Sequence, residues 1–400
     1  MGEPPEATST LRILGPPLGG IHPWRSGRGH HRDPVRCRGL GESHQLAYVS
    51  VAGGRIRTQV RLGTFHYAHA GYGAALSGGV HAAPTDLGLF QLWAIAEYLE
   101  ATGDSSVLDE LIHVRGPNRV GWTPTLGEVA LVAASGIEGN VGLGPHGLLR
   151  VGSGDWADPI SLMVSRRGTF RRHGESSFNT GMALAVLPMV ASLLGGLDPT
   201  VARRCESLRA RLEDTFERAW TGEWYLRGWD GQGAPIGERH LFLDAQLWPI
   251  IAGHGTAQRR RDLVETIAAR SDDPSPIGPA ILDRPHPVRL GMLADGTDCN
   301  GGVWAALGGL TAWAYALVDP ARAEGLLRRL SFVSQQAAYP GIWYGQWSGP
   351  DARNSWMAEN PGATFVHPAT PMTEFPVMNS NVHAAALLGL VKLGRTDSGR

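Results

Sequence analysis

Between residues 146 and 163 the chain reads HGLLRVGSGDWADPISLM, with two carboxylates and an indole inside the four positions Asp155 to Asp158 and glycines on the approach. Glycines let a backbone come close to a ligand, and a carboxylic acid in such a place is a candidate proton donor. Asp158 also has a plainer reading. It precedes Pro159 and an apolar run, the pattern of a helix N-cap with proline at the first helical position. Backbone N–H groups bonded to a cap lower its pKa, the wrong direction for a general acid. The company of Asp155 and Trp156, and of Glu175 in the RRHGESS stretch that opens the next helical pattern, speaks for chemistry. On the residues alone both readings stay open.

Composition narrows that chemistry. Thirty-five of the 36 basic residues are arginine and Lys392 is the single lysine, so a phosphate-binding Walker loop and a Schiff-base lysine are both disfavoured. A net charge of −1 gives no field to gather nucleic acid or an anionic membrane, so a small or neutral partner is expected. Cys37, Cys205 and Cys299 are odd in number and widely spaced, which suits reduced, buried thiols. No metal site is expected, and no acidic loop has a calcium pattern. The longest apolar run, GMALAVLPMVASLLGG, is expected to fall short of a membrane span of about 20 residues. The start MGEPPEATST lacks a secretory pattern, so a cytoplasmic location is expected. Thirteen tryptophans include Trp122, Trp156, Trp224, Trp229, Trp343 and Trp347 in Gly- or Pro-rich connections, where flat amphipathic rings suit sugar faces.

These residues need a frame. Residues 1–45 have no apolar period and carry GIHPWRSGRGHHRDPVRCRG, with five arginines and three histidines against one acid; they read as an irregular segment. Residues 46–400 read as one catalytic domain. TDLGLFQLWAIAEYLEATGD places Leu89, Leu92, Trp93, Ala96 and Leu99 on one face, with Thr85 as N-cap and Gly103 as stop. Similar patterns recur at about 125–136, 174–194, 199–218, 241–253, 257–269, 301–317, 320–337 and 379–394. They pair as helical hairpins; that at 174–218 turns through GGLDPT, with Gly196 ending one helix and Pro199 opening the next. WYLRGWDGQGAPIG reads as a small β-hairpin turning at Asp230 and Gly231. The expectation is all-α: five or six hairpins in an (α/α)6 toroid, loops meeting over a central pocket, with the presence of the first hairpin in question.

At this point the chain resembles a known family. GPHGLLRVGSGDWADPISLM is similar to the His-Gly-Leu, Gly-Asp-Trp-Asn-Asp signature of glycoside hydrolase family 94, the cellobiose and chitobiose phosphorylases and cyclic β-1,2-glucan enzymes, within the six-hairpin glycosidases. In the same order, PTDLGLFQLWAIAEYLEATGD resembles its Ser-Asp-Asp-Leu-Leu-Trp helix, GESSFNTG its Gly-Glu-Ser helix, and WTGEWYLRGWDGQGAPIG its Trp-Tyr hairpin. FLDAQLWPIIAG resembles its Asn-Ala-Gln-Ser-Trp helix and NGGVWAAL its Asn-Gly-Gly-Val segment, extending the likeness over roughly residues 64 to 317. The resemblance implies that Asp158 is the general acid, that Trp156 lines the same subsite, and that Asp86 holds sugar hydroxyls, although a first-turn acid also simply complements the helix dipole. It makes Glu175 either a substrate ligand or a structural cap.

Three departures qualify it. Ala157 stands where the motif has Asn. Residues 1–45 resemble neither the family's N-terminal β-sandwich nor its first hairpin, so a truncated or irregular member is expected. The late Thr-Gly-Thr or Thr-Gly-Ser phosphate turn is missing from YPGIWYGQWSGPDARNSWMAENPGATFVHPATPMTEFPVMNSNVH, where Thr373-Glu374 leads into the final helix. An inverting hydrolase needs a second carboxylate about 6.5–9.5 Å from the acid to activate water. Glu374 is the candidate and Asp351 its reserve, with Trp156, Trp304, Trp343 and Trp347 shaping the sugar path. The main expectation is therefore an inverting glycoside hydrolase acting on a gluco-oligosaccharide or glucan, without organic cofactor. Inverting phosphorolysis is the alternative, with inorganic phosphate as nucleophile and Arg353, His367 and His383 as candidate ligands. A non-catalytic glycan-binding toroid is the reading from another class.

Overall fold

The computed structural model describes residues 50–52, 55–57, 85–111, 124–152, 154–157, 160–161, 163–287, 294–340, 352–363 and 388–394. Helices dominate. Chain contacts divide the protein into two compact units, one holding Met1–Ser161, Gly168–Glu175 and Val186–Thr215, the other Leu162–Arg167, Ser176–Ala185 and Phe216–Arg400.

In the first unit, strands β1 (Ser50–Ala52) and β2 (Arg55–Arg57) pair antiparallel, a short hairpin ahead of the first expected helix. Helix α1 runs Leu87–Thr102 and stops at Gly103, whose φ of 67° only glycine adopts cheaply and whose N–H reaches the Leu99 carbonyl. Its buried stripe is Leu89, Leu92, Ile95 and Ala96, with Trp93 and Leu99 half-buried. Helix α2 (Leu126–Gly136) opens on a full capping box: Thr125 Oγ1 accepts the Glu128 N–H at 3.1 Å, and Glu128 Oε2 accepts the Thr125 N–H at 2.9 Å. The two helices pack together, with Gly88 against Ala133.

Helix α3 (Arg167–His173) is followed by α4 (Ser177–Leu197) and α5 (Pro199–Phe216). Gly196 does not end α4, which continues through it to Leu197. The hairpin is instead punctuated by Asp198, whose Oδ1 accepts the N–H of Thr200 at 2.8 Å. At 21 residues and a mean hydropathy of 1.8 in its most apolar window, α4 is long and apolar enough to cross a membrane, longer than the sequence reading allowed. Buried residues make up 56% of that window, as in the core helix of a folded domain.

The second unit holds the predicted β-hairpin, β3 (Gly228–Trp229) paired with β4 (Pro235–Ile236), and Asp230 Oδ1 closes its turn by accepting the N–H groups of Gln232 and Ala234. Helix α6 (Asp244–Ile251) anchors that hairpin. Gln246 accepts the Tyr225 N–H and donates to the Tyr225 and Phe242 carbonyls, each at 2.8 Å. Asp244 Oδ2 takes Arg227 Nε at 2.9 Å, and Arg227 Nη1 reaches Ser176 Oγ at 3.2 Å, all fully buried. The start of α4 lies against α6 at Gly181, where a Cβ would come within 2.9 Å of Pro249 Cδ.

Helix α7 (Ala257–Ile267) follows, capped by Thr256. Strand β5 (Val303–Trp304) leads into α8 (Ala305–Ala316) and pairs antiparallel with β6 (Ala352–Arg353). The pattern read as one helix over 320–337 is two, α9 (Pro320–Arg329) and α10 (Phe332–Ala338), because Ser331 turns extended and its hydroxyl caps the second by accepting the Ser334 N–H. Lys392 is buried, its ammonium 4.3 Å from the Trp313 ring centroid.

Two measurements test this account. Asp244→Ala strands a buried guanidinium and is expected to lower unfolding free energy by about 3–5 kcal/mol, while the double change Arg227→Met with Asp244→Leu costs less; denaturant midpoints decide it. His240 and His286 lie with ring centroids 5.5 Å apart, and burial lowers both pKa values, against the pull of Asp283 on His240. The unfolded imidazoles therefore take up protons first. Their contribution is complete above about pH 6.5 and is lost as pH falls through the lowered folded values. Replacing both by Gln is expected to flatten the fall in unfolding midpoint on that acid side.

Candidate active site

The acid segment is built from local loop chemistry. Leu143 and Leu149 bridge antiparallel, and inside that loop the Gly144 N–H donates to the Leu148 carbonyl at 2.8 Å and the Gly147 N–H to the Gly144 carbonyl at 3.0 Å. Gly147 has φ of 86°, and Thr215 Oγ1, at the end of α5, donates to its carbonyl at 2.9 Å. The carboxylate of Glu175, with no exposed side-chain surface, fills the loop. Its Oε1 accepts the backbone N–H groups of His146 at 2.9 Å and Leu148 at 3.1 Å, and its Oε2 lies 2.5 Å from His146 Nδ1. The loop rests so closely on this carboxylate that a Cβ on Gly144 would stand 2.3 Å from Glu175 Cγ.

From there the chain enters the motif through a turn, with Gly152 at φ 59° and the Gly154 N–H donating to the Val151 carbonyl at 3.1 Å. Arg150 bridges to Glu175, and the Val151 N–H donates to the Gly174 carbonyl at 3.0 Å. Thr85 holds the same segment. Its hydroxyl lies 3.0 Å from both the Arg150 and Val151 carbonyls, and its N–H donates to the Gly154 carbonyl at 3.2 Å. Thr85 was expected to cap α1. Its hydroxyl goes to the distant carbonyls instead, and Asp86 stands at the cap position, at φ −91° and ψ −20°, without a side-chain cap bond.

Asp86 and the motif thus meet in one unit. Asp86 is 3% exposed and directly follows the residue bonded to Gly154. Asp155 is buried and its Oδ1 accepts the Ala157 N–H at 3.2 Å, so this acid shapes its own turn; Trp156 beside it is half-buried. Trp304 belongs to the other unit, half-buried where β5 enters α8. Arg353, on β6, is buried and donates Nη1 to the Gly362 carbonyl at 3.2 Å; burial pushes its guanidinium pKa down. Asp158, Trp343, Trp347, Asp351, His367, Glu374 and His383 lie outside the described residues. Among the described residues no group of three or more His, Cys, Asp or Glu is placed to hold a metal.

Two residues escaped the sequence reading. His146 sat inside the quoted HGLL stretch without a role; its glycine on either side of the loop was the available signal. Thr85 was read by the local capping rule, and nothing in its neighbourhood announces partners 65 and 66 residues away.

The packing predicts distinct mutational costs. Thr85→Val keeps shape but takes the hydroxyl donor from the Arg150 carbonyl, while the Val151 carbonyl keeps the Gly154 N–H, an expected loss of about 1–3 kcal/mol. Gly144→Ala drives a methyl into the Glu175 side chain and is expected to cost at least as much. Gly168→Ala, in α3 with open space around the added Cβ, should be neutral or stabilising by up to about 1 kcal/mol. Thermal melts of the three, compared with wild type, check the ordering.

Comparison with known proteins bears on this geometry. Residues 69–278 match the catalytic domain of the glycosyl hydrolase 94 superfamily. That span includes Asp86, Trp156, Asp158 and Glu175 and ends before Trp304 and Glu374. A 3-O-beta-D-glucopyranosyl-beta-D-glucuronide phosphorylase of Paenibacillus borealis is 32% identical over 237 residues, 55% of this chain and 29% of that protein. A solabiose phosphorylase of the same organism is 26% identical over 215 residues, 52% of this chain and 26% of that one. The chain therefore spans under a third of the length of these relatives. Among solved structures a wild-type glycosidase aligns at 13% identity with a TM-score of 0.47, covering 78% of this chain and 67% of that one, a likeness too loose to bear on mechanism. With more than half its residues inside that match, this chain belongs to the glycosyl hydrolase 94 superfamily, as a member of its catalytic-domain family.

Proposed function

We propose that the chain carries the acid half of an inverting glycoside phosphorylase: phosphate displaces a sugar from a β-linked oligosaccharide while Asp158 protonates the departing oxygen. The observation that carries this reading is that both relatives are phosphorylases, and the stronger match is 32% identical over 55% of the chain. It reverses the weight given to hydrolysis from the sequence, which rested on Glu374, a residue beyond the family match. In this reading the helices are those of an (α/α)6 toroid, Asp86 and Trp156 bind the sugar next to the cleaved bond, and phosphate is a co-substrate rather than a cofactor. Attack from the face opposite the leaving oxygen inverts the anomeric carbon, so a β-glucoside gives an α-glucosyl 1-phosphate. Asp158 supplies the proton that turns an alkoxide into an alcohol, and this proton transfer is worth about 10²–10⁴ in rate.

The test is product analysis after incubation with β-linked gluco-disaccharides, including 3-O-β-glucosyl-glucuronide, with and without phosphate. A sugar 1-phosphate formed only when phosphate is supplied is the expected result, and Asp158→Asn should lower its formation by about 10²–10⁴ with little change in melting. Free sugar released equally without phosphate would restore the hydrolytic reading, with Glu374→Gln as the variant that then abolishes turnover. Tight binding of oligosaccharide without any product would favour the glycan-binding reading.

A further inference from the structure

We infer that His146 and Glu175 form a positioning couple for the general acid, acting through the backbone of residues 150–157 rather than by touching substrate; the inference rests on the role given to Asp158 above. Both oxygens of Glu175 are engaged within its own unit, Oε1 by two backbone N–H groups at 2.9 and 3.1 Å and Oε2 by His146 Nδ1 at 2.5 Å. The side chain has no exposed surface, while the His146 ring, 30% exposed, covers it. A carboxylate used in this way is a scaffold for the loop.

What it holds is the approach to the acid. Glu175 fixes residues 146 and 148 through its side chain and bridges Arg150 through its backbone, while its neighbour Gly174 accepts the Val151 N–H. On its other side the same segment is bonded to Thr85 at Arg150, Val151 and Gly154. Arg150 and Val151 are thus held from both sides and Gly154 from the Thr85 side, and the Asp155 carboxylate then ties the Ala157 N–H at 3.2 Å. Asp158 is the next residue, and one peptide link of about 3.8 Å between α-carbons carries any shift of Ala157 to it. Proton donation tolerates little error, since donor and leaving oxygen must come within about 2.6–3.2 Å. Glu175 was weighed in the sequence as a substrate ligand or a cap. Its partners are those of a residue that sets a backbone, and His146 completes it.

The experiment separates positioning of an acid from general disruption and from substrate binding. Wild type, Glu175→Gln, Glu175→Asp, His146→Asn and Asp158→Asn are assayed with phosphate present on two substrates: the disaccharide the wild type consumes, whose leaving oxygen needs a proton, and 2,4-dinitrophenyl β-glucoside, whose phenolate leaves without one. In Glu175→Gln and His146→Asn, kcat on the disaccharide is expected to fall about 10²-fold, kcat on the aryl glucoside less than about threefold, and both KM values to stay within about threefold. Glu175→Asp should recover part of the disaccharide rate. Equal losses on both substrates, or a loss confined to KM, would overturn the inference. Asp158→Asn serves as the reference. If it lacks the leaving-group dependence, the acid assignment itself fails; if it alone shows it, only the couple fails. Hydrogen exchange provides a readout independent of turnover: peptides covering residues 146–157 should exchange about tenfold faster in Glu175→Gln, and unchanged exchange there would refute the couple even where no substrate is turned over.

Discussion

The Glu175 carboxylate is taken up by the loop that precedes the acid segment, and the local structure follows from that commitment. A buried carboxylate is costly unless its oxygens are satisfied, and two backbone N–H groups and an imidazole satisfy them. Those donors sit on residues 146 and 148, so the loop must fold tightly around the carboxylate, and glycine at 144 is what allows the approach. The segment leaving the loop is then already aligned with Gly174 and Glu175, ready to be closed from its other side by Thr85. A dense polar lattice at one place lets a flexible, glycine-rich stretch hold a defined course.

The second unit uses the same economy with a different pair. Arg227 and Asp244 are both fully buried, and together with Gln246 they join the β-hairpin after Trp224 to the start of α6. The choice of arginine matters there. A guanidinium offers several fixed donors, and Arg227 uses Nε for Asp244 and Nη1 for Ser176 Oγ, which a lysine could not reproduce in one rotamer. Thirty-five of the chain's 36 basic residues are arginine. Arg329 joins Asp272 and two backbone carbonyls in the same manner.

How much of this was legible depends on the range of the interaction. The helix over 87–102 and its glycine stop could be read because period and cap are local, and so could the turn at Asp230. Local rules failed where a residue had a stronger partner far away. Thr85 has the chemistry of a cap yet bonds to residues 150 and 151, and the break at Ser331 looked like continued helix because the apolar period runs through it. Glu175 could only be left between two roles, since the groups that decide it stand 27 and 29 residues earlier. The motif order identified the family because order survives where individual contacts cannot be inferred. The acid half lies inside the matched residues and the candidate base beyond them, which is why the nucleophile was the weaker part of the reading.

The first unit is discontinuous in sequence, drawing on Gly168–Glu175 and Val186–Thr215 as well as the earlier chain. Its acid loop needs the carboxylate of residue 175 and, at Gly147, the hydroxyl of Thr215. During vectorial synthesis residue 155 therefore leaves the ribosome after Thr85 but before Glu175 and Thr215, two of the groups that order the loop ahead of it. For the time taken to make some 60 further residues, about 3–12 s at ordinary elongation rates, the loop at Gly147 lacks the Thr215 hydroxyl. The acid loop is thus completed by groups made both before and after it, Thr85 first and Thr215 last.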